Sequence, residues 1–206
     1  QKNYRRYYMN RIIPYKASCK FTNFVLILMV VMLGFPVLEA ESEDYSKFDD
    51  EGNLLQPESY AWRKWIYVGT PVTPNSLNPP EAPFPEFHNV YIDPTSYEKY
   101  TKTGEFSDGT MIIKELVSVG ATKAASGNGF FEGDFIGLEA AYKDSKRFPN
   151  EPGNWAYFTF SHAAPPYPNV AKLQPTATCN SCHAANAAQD WVFTQFYPVL
   201  RAAKPK

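Results

Sequence analysis

The sequence predicts an α+β fold, mainly antiparallel β-sheet with few helices and a helical segment at its C-terminal end. Aromatic residues make up 16% of the chain, and together with 18 prolines they favour strands and ordered loops over a helical bundle. A hydrophobic share of 44% and a charged share of 20% exclude a disordered chain and a coiled coil. The length of 206 residues suits a single domain after a leader segment.

Each element follows from a local pattern, taken in chain order. Residues 41–56 are acidic and polar and predict a mobile lead-in. Six prolines within 71–85 exclude a helix and a central strand there. Asp93 before Pro94 predicts a helix start, and Gly104 predicts its end. The other expected elements are a short helix from Pro57, strands at 65–70, 87–92, 110–119 and 155–160, one or two strands within 130–142, a turn at Asp108-Gly109, and helical structure from Thr176 to Ala203.

Residues 1–40 have the pattern of a secretory signal peptide. Residues 2–20 are basic and lack acids, residues 24–33 form an apolar run, and Ala40 is a small residue suited to cleavage. The alternative is an uncleaved membrane anchor over residues 21–38. We therefore expect an exported, periplasmic protein that has no membrane contact after the signal is cleaved.

The charge distribution argues against a nucleic-acid partner. Of the 20 basic and 21 acidic residues, six and one fall in residues 1–40. The predicted single domain, residues 41–206, therefore carries 14 basic and 20 acidic residues, a net charge of −6. Binding to nucleic acid requires a basic face, which this balance does not favour.

A C-x-x-C-H motif near the C-terminus predicts a cofactor. On a helix, Cys179 and Cys182 lie one turn apart, so both thiols can bond to the vinyl groups on one edge of a haem. His183 follows directly and can ligate the iron. The alternatives are a thioredoxin-like redox pair, which would follow a strand in a βαβ pattern, and half of a zinc site, which would need His88 or His162. Together with the export signal, the adjoining histidine favours one covalently bound haem c.

Few residues are candidates for a second ligand to the iron. Simple electron carriers often use a methionine there, and Met111 is the one methionine after residue 40. His88 lies on a predicted strand and also suits a hydrogen-bonded sheet residue, whereas His162 suits a surface loop histidine. Either a histidine closes the iron, or one face stays open for ligand binding or catalysis.

Two charged residues fall on apolar faces of predicted strands. Strand alternation places Lys114 with Ile112 and Leu116, where its stem can cover apolar surface while its ammonium group reaches water. Strand alternation places Glu139 on the same face as Phe135, Gly137 and Ala141. A carboxylate in that setting lies either at a sheet edge or in a buried position that raises its pKa.

Longer segments of the sequence carry a family resemblance. From about Asp49 to Lys204 the chain resembles the cytochrome P-460 family in VGTPVTPNSLN, VYIDPTSY, KTGEFSDGT, KELVSVG, SGNGFFEGDFIGLEA, KDSKRFPNEPGNWA, the C-x-x-C-H motif and VFTQFYPVLRAAK. The resemblance implies a mainly antiparallel sheet, a homodimer, and an exported mono-haem protein that oxidises hydroxylamine.

The resemblance also implies roles for individual residues. Lys114, in KELVSVG, would be the lysine whose nitrogen is bonded covalently to the haem ring, and Glu139, in GLEA, would be the catalytic carboxylate nearby. His183 would be the proximal ligand, with the distal side open. His88 stands where the best-known members have arginine, which makes it a candidate residue of the distal pocket, and His162 inherits no role.

Two functions of different classes follow as hypotheses. The first is a hydroxylamine oxidoreductase that forms nitrous oxide or nitrite through an iron–nitrosyl, with Glu139 as a base whose pKa burial raises, and a soluble cytochrome c-type protein as electron acceptor. The second is a protein that binds or detoxifies nitric oxide, of the cytochrome c-prime-beta type. A base in the pocket favours the first, and an aromatic cap, for which Phe130, Phe131 and Phe135 are candidates, favours the second.

Overall fold

The computed structural model of the protein describes residues 45–206. The predicted signal peptide, residues 1–40, lies outside the described residues. None of the helices in the described part has the length and apolar character needed to cross a membrane.

The described residues form nine strands. Seven of them make a central antiparallel sheet, and the other two make a separate hairpin. The strands are β1 (Leu54–Leu55), β2 (Ile66–Gly69), β3 (Phe87–Ile92), β4 (Met111–Val119), β5 (Lys123–Ala124), β6 (Gly127–Asn128), β7 (Glu132–Lys143), β8 (Trp155–Ser161) and β9 (Val170–Leu173). The helices are α1 (Pro94–Thr103), α2 (Asn180–Asn186) and α3 (Pro198–Ala203), with 3₁₀ helices at Glu58–Lys64, Asn75–Leu77, Pro152–Asn154 and Thr194–Phe196. The sheet order is β1-β9-β8-β7-β4-β3-β2, and β5 and β6 form a separate hairpin. The predicted α+β class, mainly antiparallel with a helical C-terminal part, is confirmed.

Apolar residues cover both faces of this sheet. Met111 and Ile113 of β4 are buried in one cluster with Phe158 of β8. Ile112 lies on the opposite face, in a second cluster with Tyr157. Burial of a large apolar side chain contributes about 1.5–3 kcal/mol, so a strand that alternates between two clusters is strongly held in register. The candidate site lies on the face of the second cluster.

Helix α1 begins and ends where the sequence predicts. The Asp93 carboxylate accepts hydrogen bonds from the backbone N–H of Ser96 at 2.8 Å and from that of Met111 at 2.9 Å. It therefore caps the helix and also attaches it to β4. Gly104 ends the helix in the left-handed conformation, at φ +74°.

The prediction of a mobile lead-in is wrong for the described residues of that segment. Leu54 is fully buried and pairs with Ala171, so β1 forms one edge of the sheet. Phe48 packs against the first apolar cluster. The few apolar side chains of this acidic segment are therefore used in the core, which the average composition does not reveal.

The two helical predictions at the ends of the domain are partly wrong. Glu58–Lys64 is a 3₁₀ helix interrupted by Ser59 and Tyr60, which have left-handed backbone angles. The C-terminal run is divided into α2 and α3 because a β-bridge joins Gln189 to Val192 between them. Left-handed backbone angles interrupt the first helix, and a β-bridge interrupts the C-terminal run. The composition of these segments indicates neither interruption.

A β-bulge reverses the predicted orientation of Phe135. Leu116 pairs with Gly137, whereas the next residue of β4, Val117, pairs with Phe135, so one residue of β7 is unpaired. The Phe135 ring consequently lies 4.5 Å from the guanidinium carbon of Arg63. The prediction that this phenylalanine shares a face with the candidate glutamate is therefore wrong.

An ion pair on the face opposite the candidate site contributes to stability. Glu115 is 1% exposed, and its carboxylate lies 2.7 Å from the Arg63 guanidinium. We expect Arg63→Ala to lower the free energy of unfolding by about 3 kcal/mol, because it leaves a buried carboxylate without its cation. Urea unfolding of the two proteins, followed by far-ultraviolet circular dichroism, measures the change.

A double variant provides the control. Arg63→Met with Glu115→Leu removes both charges and keeps apolar volume, so it should recover most of the loss. An Arg63→Ala protein as stable as the wild type would show that water reaches and solvates Glu115.

Candidate functional site

The centre of the candidate site is a pair of opposite charges on the two central strands. Lys114 of β4 and Glu139 of β7 are directly opposite in the antiparallel register. Directly opposite residues point to the same face, and the Lys114 Nζ lies 2.6 Å from the Glu139 Oε2. The two side chains are 25% and 21% exposed, so both are largely withdrawn from water.

The pKa of Glu139 does not follow the prediction made from the sequence. Burial acts to raise it, as expected, but the positive charge of Lys114 and hydrogen bonds from Lys114 and His162 outweigh burial. The pKa is therefore held below its ordinary value while Lys114 carries its charge. Glu139 is consequently a carboxylate at neutral pH, which is the form that can accept a proton.

His162 belongs to this cluster, although the family resemblance assigns it no role. It follows the end of β8, and its Nε2 lies 2.9 Å from the Glu139 Oε1. The β7–β8 register shifts between Leu138 and Glu139, which brings the residues after β8 next to the glutamate. No sequence pattern marks this neighbourhood, because it depends on pairing between distant strands.

His88 lies on the same face, next to Glu86. In the β3–β4 register His88 is opposite Leu116, which shares the face of Lys114. The His88 Nε2 lies 3.3 Å from the Glu86 Oε1, and Glu86 is buried. The Phe84 ring lies at the edge of this group, 5.7 Å from the Lys114 Nζ. The assignment of His88 to a distal pocket stays a prediction, and Glu86 and Phe84 have no sequence signal.

Helix α2 carries the C-x-x-C-H motif and is attached to the sheet by its first residue. Asn180 is buried, and its side-chain amide donates a hydrogen bond to the Trp155 carbonyl at 2.8 Å. Cys179 immediately precedes the helix and Cys182 lies within its first turn; both thiols are free. Burial raises the pKa of the Cys179 thiol, and the negative charge of Glu139 raises it further. Cys179 packs against the second apolar cluster, which lies on the face of the sheet that carries the charged pair.

The imidazole of His183 is oriented by a backbone carbonyl. Its Nδ1 lies 2.7 Å from the Trp191 carbonyl oxygen, so Nδ1 carries the proton and donates it. This leaves the lone pair on Nε2 available to a metal. The rings of Tyr157 and Phe193 lie 4.4 and 4.7 Å from the imidazole, and burial lowers the pKa of His183. The neutral imidazole that results is the form that ligates iron.

A strained turn holds the carbonyl that orients His183. Asp190 and Trp191 have positive φ angles of 45° and 58°, which side-chain-bearing residues rarely adopt. The Asp190 carboxylate is bonded to the Lys143 ammonium at 2.9 Å. A Cβ added to Gly153 would lie 2.4 Å from the Trp191 ring, so glycine allows that ring to pack closely. The carbonyl therefore has a fixed position relative to the imidazole.

These donors fit a covalently held haem. The two thiols lie one turn apart, the imidazole has a free Nε2, and the Lys114 amine belongs to the same face of the sheet. The zinc alternative needed His88 or His162 beside the cysteines, but each of these imidazoles lies within hydrogen-bonding distance of a glutamate. Within residues 45–206, no group of three or more histidine, cysteine, aspartate and glutamate side chains is arranged to hold a metal ion. The thioredoxin alternative needed a βαβ unit, whereas the pairs of the large sheet are antiparallel.

Comparison with known proteins gives one family. The family model described as Cytochrome P460 matches residues 57–194, which is more than half of the chain. This range includes both strands of the charged pair and the whole C-x-x-C-H motif. A search of curated proteins found no match.

Proposed function

Because this chain belongs to the cytochrome P460 family, we propose that it is an exported haem c enzyme that oxidises hydroxylamine and passes the electrons to an external acceptor. Membership makes it a haem protein of oxidoreductase type. The substrate, the export and the acceptor are the parts that we propose.

The observation that carries this proposal is a carboxylate base beside the haem-binding motif. Glu139 is charged and largely withdrawn from water, and it lies on the face of the sheet against which Cys179 packs. Oxidation of hydroxylamine removes protons together with electrons, so it requires a proton acceptor near the iron. A protein that only carries electrons has no need of such a base.

Four residues would hold the haem. Cys179 and Cys182 would form the two thioether bonds, and His183 would ligate the iron through Nε2. Lys114 would form the additional bond to the ring that the family resemblance implies. Haem bound there supplies an iron that can bind the nitrogen of hydroxylamine and take up its electrons.

The described residues support an open position opposite His183. Met111, the methionine that could have closed the iron, is 1% exposed within the apolar cluster on the other face of the sheet. His88 is held by Glu86, and His162 is held by Glu139. We therefore infer that His183 would be the one protein ligand to the iron, which would leave the iron able to bind small molecules.

In this arrangement Glu139 acts as the base. Its carboxylate takes a proton from bound hydroxylamine while the low exposure of the site keeps bulk water from competing. Positioned bases contribute about 10²–10⁴-fold to a rate, and misplacement by about 1 Å removes much of that effect. The Lys114 Nζ lies 2.6 Å from the carboxylate. Once bonded to the ring, its nitrogen keeps one N–H that can donate a hydrogen bond to Glu139, so the lysine also acts as a positioning group.

The nitric oxide-binding alternative has less support from this geometry. Of its candidate capping residues, Phe135 is turned to the Arg63 face by the β-bulge. Phe84 is an aromatic ring near the charged pair, but it is 53% exposed. Hydroxylamine and nitric oxide remain the small ligands that we propose. A homodimer and a soluble cytochrome c-type acceptor are also proposals, as is the periplasmic location.

A steady-state assay tests the proposed function. The protein is produced in a host with haem-attachment machinery, then mixed with hydroxylamine and an artificial electron acceptor. We expect reduction of the acceptor that depends on hydroxylamine, and loss of that activity in His183→Ala, which lacks the iron ligand. A wild-type protein that binds nitric oxide but never reduces the acceptor would contradict the proposal and support the alternative.

A further inference from the structure

Each oxygen of the Glu139 carboxylate has a hydrogen-bonding partner, and the two partners differ in their access to water. Lys114 contacts Oε2 and is 25% exposed, whereas His162 contacts Oε1 and is 64% exposed. Glu139 itself is 21% exposed. The imidazole therefore connects a carboxylate with little access to water to the surface of the protein.

A local turn places His162 for this contact. The Ser161 Oγ accepts a hydrogen bond from the backbone N–H of Ala163 at 2.9 Å, which closes a tight turn around the histidine. Ser161 pairs with Leu138, the neighbour of Glu139, before the register shifts. The contact with Glu139 thus follows from the end of the β7–β8 ladder as well as from the position of one side chain.

A base that works repeatedly must lose each proton that it takes up. Hydrogen bonds from Lys114 and His162 act to lower the pKa of Glu139, so the protonated carboxyl group readily gives up its proton. Imidazole is the side chain that exchanges protons most readily near neutral pH. The neutral imidazole of His162 can therefore accept the proton that Glu139 releases.

We propose that His162 carries protons from Glu139 to solvent during turnover. This inference rests on the proposed function. When neutral His162 carries its proton on Nδ1, its bare Nε2 takes the proton from protonated Glu139, which restores the carboxylate and gives an imidazolium. The imidazolium then gives one proton to water or buffer, and the exposed ring exchanges between its two neutral forms in water. No electron moves in this step.

The charged groups facing the pathway come from three elements. Lys114 of β4 lies on the far side of Glu139 of β7, and His162 follows β8. Once its nitrogen is bonded to the haem ring, Lys114 donates a hydrogen bond to Glu139 and carries no ammonium charge. Release of the proton to solvent therefore rests on the 64% exposure of His162. If His162 had only a structural role, its contact with Glu139 would serve as a hydrogen bond that orients the carboxylate.

Two substitutions separate these roles. His162→Gln can still donate a hydrogen bond to Glu139 but cannot carry a proton, whereas His162→Ala can do neither. We expect kcat to fall about 10- to 100-fold in both, with little change in KM, because water partly replaces a proton carrier at an exposed position. Added imidazole should restore much of the rate in His162→Ala. Glu98→Gln, in an exposed pair with Lys102 on α1, is the matched control and should keep the wild-type rate.

A measurement that does not use turnover tests the contact itself. In ring ¹⁵N nuclear magnetic resonance of the diamagnetic ferrous carbon monoxide adduct, the resonance that His162→Gln removes should shift in Glu139→Ala. An unshifted resonance would contradict the contact on which the inference depends.

The kinetic outcomes separate this inference from the proposed function. Wild-type rates in both His162 variants would overturn the inference and leave hydroxylamine oxidation standing. Activity kept by His162→Gln and lost by His162→Ala would also overturn it, and would reduce the histidine to a positioning residue. A wild-type protein without hydroxylamine oxidation would overturn the proposed function and the proton pathway together.

Discussion

Replacing Glu139 with alanine should slow hydroxylamine oxidation about 10²- to 10⁴-fold while leaving hydroxylamine and nitric oxide binding nearly unchanged. The iron supplies most of the affinity for these small ligands, so removing the base affects turnover more than binding. Beside the free Lys114 amine, Lys114 and His162 together outweigh the effect of burial and lower the pKa of this carboxylate. After Lys114 is bonded to the haem, its remaining N–H and His162 can still donate hydrogen bonds to the carboxylate. Its loss therefore removes a proton acceptor that is ready at neutral pH.

Three further variants make this prediction specific. Glu139→Gln keeps the shape but not the base and should behave like alanine, whereas Glu139→Asp keeps a displaced base and should be intermediate. Glu132→Ala, at the exposed start of the same strand, is the matched control and should keep the wild-type rate. The measurements are steady-state oxidation with an artificial acceptor and ligand titration by absorbance. Wild-type turnover in Glu139→Ala would show that this carboxylate is an ordinary strand residue.

Replacing Lys114 with leucine should leave haem attached to Cys179 and Cys182 but give the protein an ordinary c-type absorption spectrum. A third bond to the ring would distort the haem, and distortion is one way a protein changes haem electronics. We therefore expect a strongly red-shifted ferrous Soret band in the wild type and its absence in the variant. Lys102→Leu, an exposed lysine on α1, should keep the wild-type spectrum.

The same substitution has a second expected effect, on Glu139. Lys114 is a cause of the lowered pKa of this carboxyl group, so its removal lets burial raise that pKa. The carboxylate also loses the contact that positions it, and hydroxylamine oxidation should fall with the spectral change. An unaltered spectrum in Lys114→Leu would contradict the assignment of the cross-link.

The parts of the fold that could be predicted are those with a strong local signal. Strand β4 and helix α1 have an alternating pattern and an Asp-Pro start, and both lie within a residue of the expected bounds. The orientation of Phe135 could not be predicted because it depends on one unpaired residue in the β4–β7 ladder. The edge strand β1 was missed because Leu54 lies in an acidic segment whose average composition suggests solvent.

The candidate site shows the same division between local and long-range information. The C-x-x-C-H motif is local, and the family resemblance pointed to Lys114 and Glu139, which the strand register places opposite each other. The hydrogen bond from His162 to Glu139 and the turn at Trp191 that orients His183 join residues whose contact depends on tertiary structure. Neither leaves a pattern in the sequence.

We propose that one haem is bonded to the C-x-x-C-H motif and to Lys114 of β4 at the same time. Trypsin should not cleave after a modified Lys114, so digestion of the exported protein should release peptides 103–123 and 173–201 joined through a single haem. Mass spectrometry of the haem-containing fraction measures this directly. We expect one species with the mass of both peptides plus haem. Haem on peptide 173–201 alone, together with cleavage after Lys114, would contradict it.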